Sequence, residues 1–206
     1  MKKIVLATRN KDKTKEIKDI FERLKLNIEL LSILNFPNIP EIEEDGKTLK
    51  ENAKKKAKIV GDIIGLPTLS EDTGLFVDYL NGAPGVYSSR YADTDPKKHT
   101  ATYEDNYKKL LKQLEGVPWE KRTAKFICTA CFYIPQKNKC YTRTAEVKGY
   151  ITLSPKGSNG FGYDPVFFYP PKQKTFAELT TEEKNLISHR FLAIKKISGI
   201  IKEHLK

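Results

Sequence analysis

Residues 2–13 read KKIVLATRNKDK. An apolar, β-branched run stops at a polar loop, TRNKDK, and behind the loop Ile17, Ile20, Phe21 and Leu24 recur at helical spacing. A strand that runs through a polar loop into a helix opens an α/β fold, and the later segments continue it. IELLSI, residues 28–33, reads as a second strand. Thr48 with Glu51 three residues later is a capping box; it starts a helix carrying Leu49, Ala53, Ala57, Val60 and Ile64, which Gly65 stops. PTLS (67–70) is a short strand leading to the acids Glu71 and Asp72, LFVDYL (75–80) is extended, and NGAPG is a turn cluster. A helix is expected over 100–115. TAKFICTACFYI and KCYTRTAEVKGYI form two long antiparallel strands joined at 135–138, and VFFY (166–169) is extended. Thr180 and Glu183 make a second capping box, from which a final helix runs through Ile187, Phe191, Ile194, Ile197 and Ile201. Early strand–helix alternation followed by hairpin strands predicts a mixed α/β sheet in one domain with a second lobe.

The chain has 206 residues, enough to bury a core, and no apolar run reaches membrane-spanning length. The N-terminal apolar run is too short for a signal peptide and charge returns at Arg9, so a cytoplasmic protein is expected. Lys and Arg total 37 against 26 Asp and Glu, a net charge of +11. That excess attracts polyanions, whether nucleic acid, acidic membranes or phosphorylated small molecules. Three cysteines give no disulfide framework. Cys128 and Cys131 form a C-x-x-C inside a predicted strand, where alternation sends them to opposite faces, so they read as buried thiols rather than a zinc or redox pair.

Four segments carry chemistry. Thr8–Lys13 is a strand-to-helix loop whose free N–H groups, with Lys11 and Lys13, can cradle phosphate, although no Walker A pattern is present. Glu43 and Glu44 lie in the acidic loop before the Thr48 helix, and Glu71 and Asp72 follow the strand at 67–70; carboxylates with phosphate oxygens are the usual octahedral set for Mg²⁺. Taken without the other motifs, EIEEDGK reads as a solvated acidic loop and EDTG as an ordinary turn. GSNGFGYDP, residues 157–165, has three glycines that let backbone approach a ligand, aromatic faces at Phe161 and Tyr163, and an acceptor at Asp164. Lys184 and Ser188 lie four apart on one helical face beside His189 and Arg190, and Arg190 can only donate hydrogen bonds. A 6-keto base offers an acceptor to such a donor, whereas adenine offers an amine.

With LATRNKDK, LKENAKKKA, SEDTGLFVDYLNGAPGVYSSRYA, NGFGYDPVFFY and FAELTTEEKNLISHR in this order, the chain resembles the inosine triphosphatase (HAM1) family over nearly its whole length. The resemblance implies hydrolysis of ITP, dITP and XTP to the monophosphate and pyrophosphate with Mg²⁺. The implied fold is an elongated, two-lobed mixed β-sheet with flanking helices and a central cleft, a single domain over 1–206, assembled as a homodimer. By motif, Thr8, Arg9, Asn10, Lys11, Asp12 and Lys13 would hold the phosphates with Lys56. Glu43, with Glu44 adjacent, and Asp72 would bind the metal, and Asp72 would also accept the proton of the attacking water beside Thr73. Phe161, Gly162, Tyr163 and Asp164 would hold the nucleoside, with Phe161 stacking, and Lys184, His189 and Arg190 would read the base. Two positions depart from the family pattern: Arg9 stands where many relatives have a small residue, and Glu71 where many bacterial members have Asp. The competing expectations are a basic nucleic-acid-binding protein, whose binding weakens steeply with salt, and a pyrophosphatase for modified pyrimidine triphosphates. A stable nucleic-acid partner and membrane attachment are not expected.

Overall fold

The structure is a computed structural model that describes residues 2–95 and 100–205. Its strands are β1 (Lys2–Leu6), β2 (Ile28–Ser32), β3 (Thr68–Val77), β4 (Pro84–Gly85), β5 (Thr123–Ile134), β6 (Lys139–Ile151), β7 (Phe167–Tyr169) and β8 (Lys174–Thr175). The α-helices are α1 (Lys11–Arg23), α2 (Leu49–Ile64), α3 (Tyr103–Gln113), α4 (Thr181–Ile187) and α5 (His189–His204). Among the described residues the strands form one open mixed sheet in the order β2-β1-β3-β5-β6-β7-β8, with β4 paired to β3. β1 is parallel to β2 and β3, as strand–helix–strand connections require. β4 is antiparallel to β3, β7 to β6, and β8 to β7. No helix among the described residues is long and apolar enough to cross a membrane.

The chain divides into two compact units: Met1–Asp72 with Cys128–Ala145 and His189–Lys206, and Thr73–Ile127 with Glu146–Ser188. In the first unit, strand alternation sorts the core. Ile4, Leu6, Leu69, Cys128, Ala130 and Phe132 pack with α1 and α5, through Ile17, Ile20, Phe21, Ile194 and Ile197. Val5 and Ala7 pack with Val60 of α2, and Cys131 and Tyr133 pack with its Ala53 and Ala57. Cys128 and Cys131 are thus thiols outside any disulfide, on opposite faces, as the period of two requires. In the second unit Phe126, Phe167 and Phe176 form the aromatic core, at centroid separations of 4.6 and 4.9 Å along that series. Buried Arg122 donates to the carbonyls of Leu114, Ile151 and Thr152 and so ties three segments together.

Three sequence expectations change. The segments 67–70 and 75–80 are not separated by a turn at EDTG; one strand, β3, runs from Thr68 to Val77 with Glu71 and Asp72 inside it, and Asp78–Leu80, expected to be extended, forms a 3-10 turn instead. The reason is tertiary: bases from other segments reach both acids, Lys13 and Arg190 at Glu71 and Lys56 at Asp72. The final helix is two helices, because Ser188 adopts an extended conformation (φ −64°, ψ 149°) between α4 and α5, so Lys184 and Ser188 do not share a helical face. At α2, Thr48 Oγ1 accepts from Glu51 N as expected, but the Glu51 carboxylate takes the Lys47 N–H instead of closing the box on Thr48.

Candidate active site

Successive residues of a strand face opposite ways, and β3 uses this to separate its two acids. Glu71 points toward α1 and α5. Lys13 Nζ lies 2.8 Å from Glu71 Oε1, Arg190 Nε lies 3.5 Å from the same oxygen, and Cys128 Sγ donates to Oε2 at 3.6 Å. Asp72 points toward α2. Asn52 Nδ2 donates to its Oδ2 at 3.1 Å, and Lys56 Nζ approaches its Oδ1 at 3.4 Å. Asn52 and Lys56 are four residues apart, on one face of α2, which is why a single helix reaches both oxygens. Lys56 also donates to the Glu71 carbonyl at 2.8 Å and to the Glu44 carboxylate.

The electrostatics follow the two faces. Burial raises the Glu71 pKa, but Lys13, Arg190 and Lys56 outweigh it and hold the carboxyl well below the usual range. For Asp72 burial wins: with Glu44 and Glu71 nearby, Lys56 and Lys13 do not offset it, and its pKa is raised. Glu44 is pushed up by burial, but Lys56 and Lys13 bring it down. Lys56, buried, is pushed down by desolvation, but Asp72, Glu44 and Glu71 more than reverse this and keep it protonated.

The other residues singled out from the sequence are arranged more unevenly. Of the two candidate glutamates, Glu44 contacts Lys56, while Glu43 is solvent-exposed. The geometry therefore favours Glu44 over Glu43 as the carboxylate that joins Asp72. Asn10 is the N-cap of α1, its Oδ1 accepting from Lys13 N at 3.0 Å, so one N–H of the supposed phosphate cradle is already taken. Thr8 Oγ1 accepts from Asn10 N, Arg9 donates to the Ile39 carbonyl at 2.6 Å, and Lys11 and Asp12 are exposed. Arg190 is buried and pairs with Glu16 of α1 at 2.8 Å, and His189 is buried at the start of α5.

In the second unit, Asp164 organises the glycine-rich loop. Its Oδ2 accepts from Phe161 N at 2.9 Å and from Lys184 Nζ at 2.5 Å, and that ammonium lies 4.8 Å from the Phe161 ring centroid. Gly160 has φ +75°, and a Cβ there would overlap the Asp164 carboxylate, so the loop can close on Asp164 only with glycine. Thr73 and Gly162 are half-buried. Tyr163 is buried and donates from its hydroxyl to the Ser88 carbonyl at 2.8 Å. Ser88 Oγ in turn accepts from Leu75 N of β3 and donates to the Gly85 carbonyl. Gly74 admits this packing, because a Cβ there would strike the Gly85 backbone. The stretch NGAPGVYSS is therefore the support that joins β3 to the Phe161–Asp164 loop. Asn52, Glu16 and Ser88 were not singled out from the sequence. Glu16 left one sign, an acid four residues before Ile20 on the apolar face of α1; Asn52 and Ser88 lie within LKENAKKKA and SEDTGLFVDYLNGAPGVYSSRYA, which do not set them apart from their neighbours.

Buried acid–base pairs thus occupy both faces of one strand, with α1 and α5 on one side and α2 on the other. Residues 4–200 match the Ham1 family. The chain belongs to that family. A relative from Geobacter sulfurreducens, named dITP/XTP pyrophosphatase, is 49% identical over 205 residues, covering 100% of this chain and 97% of its own length. Another so named, from Bacillus licheniformis, is 46% identical over 203 residues, covering 98% of each. Among solved structures, the HAM1 protein from Coxiella burnetii superposes with a TM-score of 0.86 at 38% identity, covering 98% of this Ham1 family chain and 100% of its own. The Staphylococcus aureus Ham1 protein gives 0.83 at 33%, with the same coverage.

Proposed function

We infer that this Ham1 family chain hydrolyses ITP, dITP and XTP at the α–β phosphoanhydride, releasing the monophosphate and pyrophosphate. The observation that carries the reading is the state of Asp72: a buried carboxylate with a raised pKa, fixed at both oxygens, beside buried and half-buried lysines. A carboxylate whose proton affinity is raised by burial is a better proton acceptor for an attacking water. The names of full-length relatives supply the substrate class. Lys13 and Lys56 would stabilise charge on the leaving pyrophosphate.

The donor chemistry fits Mg²⁺. Glu44 and Asp72 present hard oxygen donors to the same ammonium, so a cation is already accommodated between them. No group of three or more His, Cys, Asp or Glu among the described residues forms a protein-only metal cage, and Mg²⁺ characteristically takes one or two carboxylates with substrate phosphate oxygens. When bound, Mg²⁺ would neutralise and orient the phosphates. Phe161–Asp164 would hold the nucleoside. A hydrogen-bond donor from Lys184, His189 or Arg190 would separate a 6-keto purine from adenine by about 1–3 kcal/mol, since a donor facing an amine stays unpaired. The family resemblance also supports a homodimer, which sedimentation velocity would test.

The deciding experiment is pyrophosphate release from ITP, dITP, XTP, GTP and ATP with and without Mg²⁺. Rapid Mg²⁺-dependent release from the first three with little from ATP is expected. Orthophosphate as the product would overturn the cleavage position, and equal rates on all five would overturn base selection.

A further inference from the structure

The loop preceding α2 is fastened to that helix by four successive contacts. The Glu44 carboxylate meets Lys56, Asp45 meets Lys55 at 2.6 Å, Gly46 N donates to Asn52 Oδ1 at 2.7 Å, and Lys47 N donates to Glu51 at 2.7 Å. These contacts differ in what else their helix residue holds. Lys55 and Glu51 are at least partly exposed and grip only the loop, whereas Asn52 and Lys56 are buried and also reach Asp72. Asn52 is completely buried and spends its amide on two partners: the oxygen takes the loop backbone and the nitrogen takes the carboxylate.

We propose that Asn52 is a positioning residue that sets Glu44 and Asp72 at a fixed separation by clamping the Gly46 amide with one end of its side chain and Asp72 Oδ2 with the other. A charged residue at 52 could not serve a backbone N–H and a carboxylate at once: a carboxylate side chain would repel Asp72, and an ammonium would have no acceptor for Gly46. A short side-chain amide offers an acceptor and a donor from a single planar group without carrying charge at any pH. In a buried setting both ends must be used, since an unmade bond there costs more than a made one contributes. Lys56 also bridges Glu44 and Asp72, but through the end of a long four-carbon stem and with a contact of 3.4 Å to Asp72, so it draws the two carboxylates together without setting the loop backbone. The Asn52 amide is short and held at both ends. By fixing the oxygen donors before any ligand arrives, Asn52 would lower the reorganisation needed at the moment of reaction.

The catalytic half of this inference rests on the pyrophosphatase reading; the clamp itself does not. The test uses Asn52→Ala and Asn52→Asp in the full chain, with two readouts. The first is amide hydrogen exchange at Gly46 without nucleotide or metal. Asn52→Asp keeps the acceptor and should keep Gly46 protected, whereas Asn52→Ala should exchange about tenfold faster at that amide, the worth of one hydrogen bond. The second is steady-state pyrophosphate release. Both variants lose the donor to Asp72 and should lose about 10–100-fold in kcat. In addition, Glu44→Gln should cost less in the Asn52→Ala background than in wild type, a non-additivity that a merely structural loss of active protein would not produce. Unchanged Gly46 exchange in Asn52→Ala would overturn the loop clamp. Wild-type kcat in Asn52→Asp, or additive effects with Glu44→Gln, would overturn the positioning of Asp72. If Asn52→Ala does not fold, Asn52→Asp still decides the Asp72 arm. A wild-type chain inert on all five nucleotides would sink the pyrophosphatase reading, and Gly46 exchange would still judge the clamp.

Discussion

Glu71 and Asp72 are adjacent in sequence, both buried, both acidic and both inside β3, yet their environments drive their protonation in opposite directions. Glu71 faces Lys13 and Arg190, two cations from two helices, and stays ionised. Asp72 faces a neutral amide and one lysine that it shares with Glu44, and its proton affinity rises. The difference is in how many positive charges each face supplies per carboxylate, since burial acts on both. A strand that alternates its side chains can therefore carry a fold-stabilising acid and a reactive acid one residue apart. Under the proposed function, Glu71 is the structural member of the pair and Asp72 the chemical one.

The sharpest way to break this division is to neutralise each acid in turn without changing its shape. Asp72→Asn should reduce turnover by about 10²–10⁴-fold, the usual range for a lost general base, while thermal unfolding stays near wild type because the buried charge that desolvation penalises is removed. Near-normal rates would end the assignment of Asp72. Glu71→Gln should do the reverse in stability, leaving Lys13 and Arg190 short of their shared counter-charge at a cost of about 3–5 kcal/mol, read from urea unfolding. A Glu71→Gln protein as stable as wild type would mean that the ion pairs on that face merely break even with a neutral amide.

Acid titration sharpens the same contrast. Glu71 ordinarily titrates at 4.5 and is depressed in the fold, so its stabilisation is complete above that pH and is lost as pH falls below it toward the folded value. Asp72 ordinarily titrates at 3.8 and is raised, so the folded state binds its proton more readily than the unfolded chain, and stability falls as pH rises from 3.8 through the folded value. Urea unfolding at a series of pH values should thus show the Glu71→Gln deficit shrinking below pH 4.5, and any gain in Asp72→Asn growing as pH rises from 3.8 toward neutrality. A gain that instead peaks at acid pH would reverse the sign of the Asp72 shift.

Much of the frame that carries these acids was legible in the sequence, wherever the signal is local. The β5–β6 hairpin, the start of α2 at Thr48, its stop at Gly65 (φ +74°) and the opposed thiols all follow from periodicity and caps, which need no distant partner. The acidic pair was not legible in the same way. SEDTG has the composition of a turn and becomes strand because Lys13, Lys56 and Arg190 arrive from α1, α2 and α5 to neutralise it. Ser188 shows the same limit: helical spacing runs on past it from Ile187 to Phe191, and nothing local announces its extended backbone. Glu43 and Glu44 are indistinguishable as letters; which one turns inward depends on the loop's attachment to α2 through Asp45, Gly46 and Lys47. The motifs marked where chemistry would lie, and the division of labour within each motif came from long-range contacts.

Further along β3 the contacts beyond the strand carry no charge. Leu75 N–H is taken by Ser88 Oγ, and the Ser88 carbonyl is taken by the Tyr163 hydroxyl, a chain of neutral hydrogen bonds without an ion pair. Burial raises the Tyr163 pKa, so the hydroxyl stays a donor at any pH at which the protein works. Tyr163→Phe removes that donor without removing the ring and should cost about 1–3 kcal/mol, because it strands a buried acceptor. That is less than the loss expected for Glu71→Gln. Urea unfolding of the two variants side by side checks the ranking. A larger loss from Tyr163→Phe would mean that the support beneath the glycine-rich loop, rather than the charged face at Glu71, is what the strand depends on most.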